Sequence, residues 1–139
     1  MKKISFKFAV VCDDIRREDN GKFMIIGAYA AELIVSEFPA PLVLSAFIPF
    51  EAEKKESFDL EFQVLIDGQR VYKASGRIEV VSGEPPLIDA LPILRILMTL
   101  NGEGTIEFQA REKDKEWETV RRLPVKKRPV SSSAPTPPS

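Results

Sequence analysis

Hydrophobic and polar residues alternate along this chain with a period of two rather than 3.6. The clearest run places Phe58, Leu60, Phe62, Val64 and Ile66 on one side and Ser57, Asp59, Glu61 and Gln63 on the other. That pattern predicts a strand with one dry and one wet face. Asp67-Gly68 follows, and because both residues tolerate positive φ, the pair predicts a hairpin. The return strand carries Val71 to Ser75 and continues through Ile78 and Val80, with Gly76 as a candidate bulge.

Other runs repeat the pattern. Phe6 to Cys12 predicts a strand with Phe6, Phe8, Val10 and Cys12 on one face. Asn20-Gly21 marks a turn before Phe23 to Tyr29, and Ala31 to Ser36 either continues that strand or forms a short one of its own. Leu42 to Phe50 stands behind Pro39 and Pro41, which cannot donate ladder hydrogen bonds and so mark a strand start or an edge. Thr105 to Arg111 pairs with Glu116 to Leu123 across Lys113-Asp114-Lys115. Leu87 to Leu100 fits either a strand or a short helix. The spacing of Leu94, Ile96, Met98 and Leu100, with Arg95 and Thr99 facing out, favours the strand. The loop from Ser82 to Pro86 should be exposed.

About eight strands with regular turn signals predict an all-β fold, a two-sheet antiparallel sandwich of immunoglobulin-like or C2-like type, with room for one short helix. Residues 1–128 then form a single domain. Residues 129–139, built only from Pro, Ser, Thr, Val and Ala, have too little apolar surface to offset their ordering entropy and are expected to be disordered.

Composition narrows the chemistry. The chain has no histidine, which removes the Ser-His-Asp triad, the Cys-His dyad and any imidazole base. A solitary cysteine, Cys12, excludes an internal disulfide and a cysteine-only zinc site. No run approaches the roughly 18 apolar residues of a membrane helix. Lys7 interrupts any signal-peptide core after Met1-Lys2-Lys3, so a cytoplasmic location without membrane contact is expected. The net charge is −1, yet Arg121, Arg122, Lys126, Lys127 and Arg128 supply five cations at one end, leaving the first 120 residues at −6. That basic run lacks the interleaved aromatics of a nucleic-acid platform.

The most unusual segment runs from Cys12 to Lys22. It places Asp13, Asp14, Arg16, Arg17, Glu18, Asp19 and Lys22 between two apolar strands. Asp13, Asp14, Glu18, Asp19 and Asn20 are hard oxygen donors of the kind calcium prefers. The interspersed Arg16, Arg17 and Lys22 neutralise much of their charge, and the spacing lacks the alternation of an EF-hand loop. The commoner alternatives are a solvated connection or a partner-binding surface. For the latter, Asp13, Asp14, Arg16, Glu18 and Lys22 are the candidate binding residues. Cys12 in an acidic neighbourhood is a poor nucleophile. Glu61, Glu107 and Glu118 fall at outward phases with no sign of a cleft between them, and Trp117 shares the phase of Thr119 and Arg121.

The residues Cys12-Asp13-Asp14-Ile15-Arg16, Glu18, Gly21-Lys22 and Ile25-Ile26-Gly27-Ala28-Tyr29, with Phe38-Pro39 and Phe62 to Gly68, carry a resemblance over roughly the first 120 residues. They resemble a family of small bacterial and phage-borne proteins known only as a domain of unknown function. The resemblance implies a compact β-sandwich and no catalytic residue. With no catalytic set, metal site or cofactor motif, the expectation is a non-enzymatic module that binds an unknown protein partner or assembles as a homo-oligomer. The alternative is a C2-like calcium- or ligand-binding module using the Asp13–Lys22 segment.

Overall fold

The structure is a computed structural model, described over residues 4–81 and 83–129. Ten strands occur in chain order: β1 (Ile4–Phe6), β2 (Val10–Arg17), β3 (Phe23–Ala28), β4 (Leu33–Val35), β5 (Ala40–Ala52), β6 (Ser57–Ile66), β7 (Gln69–Glu79), β8 (Leu87–Leu100), β9 (Gly104–Glu112) and β10 (Glu118–Lys127). No helix interrupts them among the described residues, and none is long and apolar enough to cross a membrane. The sequence-predicted disordered tail lies outside the described residues, apart from Pro129.

Two five-stranded sheets face each other. In the first, β8 runs along one edge of β5 over its whole length, from Ala40 opposite Leu100 to Ala52 opposite Leu87. The other edge of β5 is shared end to end by β1, opposite Phe50 to Ala52, and β2, opposite Ser45 to Phe47, with β3 outside β2. The second sheet has the order β4-β10-β9-β6-β7, antiparallel except for the parallel β4–β10 pair. Between the sheets lie Val11, Leu44, Ile48 and Phe50 from one side and Leu60, Phe62, Ile106, Phe108 and Leu123 from the other. This dry layer is the main stabilising element, at about 1.5–3 kcal/mol per large side chain removed from water.

The alternation of β6 holds as expected, and Asp67-Gly68 closes its hairpin with φ of 47° and 84°. Leu87–Leu100 is a strand throughout. Several expectations need correction. Phe6 to Cys12 is not one strand: the chain leaves the ladder at residues 7–9, where Ala9 N–H donates to the Val120 carbonyl. The phase therefore flips, so that Phe6, Ala9 and Val11 reach the core while Phe8 is exposed. The bulge in β7 falls at Val71, since Tyr72 faces Val64 and Arg70 faces Leu65; Gly76 pairs regularly with Leu60. A bulge at Arg95 (φ 60°) turns Leu94 outward while Ile93 and Ile96 stay inside. Pro39 and Pro41 do mark the start of β5, where only β8 pairs with it, whereas Pro49 lies within the strand. Pro49 is tolerated because it occupies the gap between β1 and β2, where its carbonyl still accepts from Lys7 N–H.

Candidate functional site

The charged segment singled out by sequence is mostly strand rather than loop. Asp13, Asp14, Arg16 and Arg17 belong to β2, and only residues 18–22 form the turn into β3. Glu18 N–H donates to the Lys22 carbonyl at 2.8 Å, Gly21 takes φ 84°, and Asn20 Oδ1 accepts from Lys22 N–H. The Asn20-Gly21 signal thus makes a tight hairpin tip.

This hairpin is bent. The β2–β3 register is regular from Arg17–Phe23 to Asp14–Ile26 and again at Cys12–Ala28, but Asp13 and Gly27 do not pair. Gly27 takes φ 68°, and a Cβ there would fall 2.9 Å from Asp13 Cγ and closer still to Oδ2. The direction of the bend follows from one contact. Phe23 pairs with Arg17, seven residues along β2 from Val10, which is the partner of Phe47. A straight strand would separate those two positions by roughly 23 Å, yet the Phe23 and Phe47 rings meet edge-on at 5.1 Å. The outer part of the hairpin therefore folds back as an arm over the outer face of β5. Beneath it lie Cys12, Ile15 and Ser45, all buried, with Cys12 and Ile15 outside the main core.

Polar contacts fix the elbow. Tyr29 Oη donates to Asp13 Oδ1 at 3.0 Å, Tyr29 N–H donates to the Val11 carbonyl, and the Arg121 guanidinium donates to the Tyr29 and Ala30 carbonyls. Burial first, then the Asp13 hydrogen bond and charge, push the Tyr29 phenol above its usual range. Burial, followed by the charges of Asp13 and Asp14, likewise pushes the Cys12 thiol up, so it is held neutral. Asp14 accepts from its neighbour Ile15 N–H and pairs with Arg16 at 3.3 Å, while Glu18 pairs with Lys22 at 3.4 Å. The candidate residues thus engage near neighbours instead of converging. Among the described residues, no three acidic or thiol side chains are placed to hold a metal ion.

Edge strands distinguish the arm further. β8 carries Pro92 and the Arg95 bulge, β7 carries outward Arg70, Lys73 and Arg77, and β1 and β4 have only three residues each. Each is a device that blunts an edge. β3 reads Phe-Met-Ile-Ile-Gly-Ala, with neither charge nor proline, and leaves Met24 and Ile26 45% and 38% exposed.

The outer face of the second sheet is the opposite kind of surface, and sequence reasoning saw it only as single outward residues. Glu61, with 12% of its side chain exposed, pairs with Arg111 at 2.8 Å and Lys73 at 3.5 Å, and Arg111 lies 4.1 Å over the Trp117 ring. Burial would raise the Glu61 pKa, but the Arg111 hydrogen bond and charge, helped by Lys73, hold the carboxyl below its usual range. Gln63 donates to Gln109 at 2.6 Å, and Gln109 donates to Glu107 and Thr119. The β10 bulge puts Arg122, not Arg121, beside Glu107, and Glu118 falls opposite Ala110 in the inward phase. Cross-strand register, invisible in one strand alone, joins Glu61, Lys73, Arg111 and Trp117 into one group and Gln63, Glu107, Gln109, Thr119 and Arg122 into another.

Seen against known proteins, no curated sequence matches the chain. A family model described as a family of unknown function, DUF6941, matches residues 7–126, which takes in the elbow, the arm and every strand but β1. The chain therefore belongs to the DUF6941 family.

Proposed function

We propose that this protein is a non-enzymatic protein-interaction module whose contact element is the free edge of β3. The observation that carries the reading is the contrast among the edges formed by the described residues: β3 has no strand beside it, is uncharged, proline-free and apolar on its exposed face, while β1 and β4 are short and β7 and β8 are blunted. An open edge of this kind accepts an extended segment by main-chain hydrogen bonding, and side chains beside it set specificity. Asp14 and Arg16, which face Ile26 and Met24 across β2–β3, flank the edge; Glu18 and Lys22 stand at its tip. The seam between β7 and β8, about 240 Å³ and lined by Leu60, Phe62, Ile78, Leu91 and Ile93, brings together no pair of acids. The outer groove that does hold two, Asp59 and Glu61, has each of them paired to an arginine, Arg77 and Arg111, which is not how a free general base is kept.

The test is affinity capture from the native host with the wild-type chain and with a Met24→Lys/Ile26→Lys chain, which charges the edge without touching the core. A polypeptide held by the first and lost by the second supports the reading. Identical capture by both overturns it.

A further inference from the structure

We infer that the partner of the β3 edge is a second copy of this chain, paired antiparallel about a two-fold axis through Ile25. The inference rests on the reading above and names its partner. It comes from the self-complementarity of the six residues and of the strand behind them.

The Glu18 N–H to Lys22 carbonyl bond sets the alternation along the hairpin. Counting back in pairs, Met24 and Ile26 turn their backbone groups toward β2, and Phe23 and Ile25 turn theirs to the free edge. With the axis at Ile25, the two Ile25 residues exchange both main-chain hydrogen bonds. Met24 of each copy then faces Ile26 of the other on the exposed side, and the two apolar pairs lose water together.

The neighbouring strand extends the match. Arg16 sits beside Met24 and Asp14 beside Ile26 in the same hairpin. Across the junction the row becomes Arg16, Met24, then Ile26 and Asp14 of the second copy, and the symmetric row is its reverse. Each apolar pair is bracketed by a cation on one side and an anion on the other, and no like charges face each other. A shift by two residues would set Met24 against Met24 or Ile26 against Ile26 and carry the bracketing charges to like with like, so charge also selects the register. The contact is short, well under the standard interface size, which makes it a concentration-dependent association and not a permanent one.

Sedimentation equilibrium of the full chain, from micromolar to near-millimolar concentration, is the first measurement, and a rising mass approaching twice the monomer is expected. Two variants give the decisive arm. A Met24→Lys/Ile26→Lys chain and a Met24→Glu/Ile26→Glu chain each stay monomeric, because like charges face each other. Mixed in equal amounts, they recover association at least as strong as wild type, and added salt weakens it. Circular dichroism of each variant confirms that it is folded. A wild-type chain that stays monomeric, or an association that survives in either singly charged variant, overturns the second-copy inference. In that case host-protein capture that still depends on the β3 edge leaves the interaction reading standing, whereas capture indifferent to the edge removes both.

Discussion

Replacing Gly27 with alanine should unlatch the arm. Gly27 holds φ 68°, a region that costs an L-residue about 1–2 kcal/mol. The new methyl would sit 2.9 Å from Asp13 Cγ, so the exposed Asp13 side chain must rotate away and release the Tyr29 hydroxyl. That hydrogen bond is worth about 0.5–1.5 kcal/mol. Together the change costs about 2–3 kcal/mol, which in a chain of this size is a fall in Tm of roughly 8–12 °C if unfolding is global. The arm, however, touches the body mainly through Phe23 on Phe47 and the small cluster under it. Much of the cost should therefore surface as local opening. Amide exchange of Met24 and Ile26, whose N–H groups face β2, should accelerate by about 30-fold or more, at about 1.4 kcal/mol per tenfold, while β6 and β9 amides follow the global stability. Asp13→Ala alone removes only the hydrogen bond, and in the Gly27→Ala background it removes the clash partner. The double variant should therefore be less destabilised than the sum of the singles by about 1 kcal/mol. A Gly27→Ala protein within 0.5 kcal/mol of wild type, or strictly additive singles, would refute the elbow.

Three further outcomes are expected. Cys12 in the native protein should resist a thiol reagent at pH 8 and react at once in denaturant, and Gly27→Ala should raise its native labelling rate; fast labelling of the wild type would mean the arm does not cover it. Glu61→Gln should cost about 1 kcal/mol at neutral pH by leaving Arg111 without its carboxylate. Because the folded Glu61 pKa is depressed, its contribution is complete above the unfolded value and fades as pH falls through the folded one. The urea midpoints of wild type and Glu61→Gln should accordingly converge in acid, and parallel curves down to pH 3 would count against the pairing. Phe62→Ala, at the fully buried centre of β6, should lose about 3–5 kcal/mol in urea melts, and a loss under 1 kcal/mol would misplace the core.

How much of this was legible beforehand differs by element. Local rules sufficed for β6, its Asp67-Gly68 turn and the choice of strand over helix for Leu87 to Leu100, because period-two patterning and positive-φ residues act within one hairpin. They failed wherever a contact from afar resets the phase. Ala9 bonded to Val120 breaks the first strand in two, and the Arg95 and Val71 bulges displace Leu94 and the register of β7. The charged segment was found by composition, but read as a loop. Gly27, whose role depends on Asp13 fourteen positions earlier, gave no local sign of an elbow.

Taken alone, the order of residues determined that this chain builds sheets with one dry side, and that it does so without imidazole chemistry or an internal disulfide. It set the family as well, since the matching residues are themselves sequence. Only the tertiary structure decided which edges lie open, that a hairpin folds back over β5, and that Glu61, Arg111 and Trp117 meet. Those properties depend on pairing between positions tens of residues apart, and no local propensity encodes which of several apolar strands will be left without a neighbour.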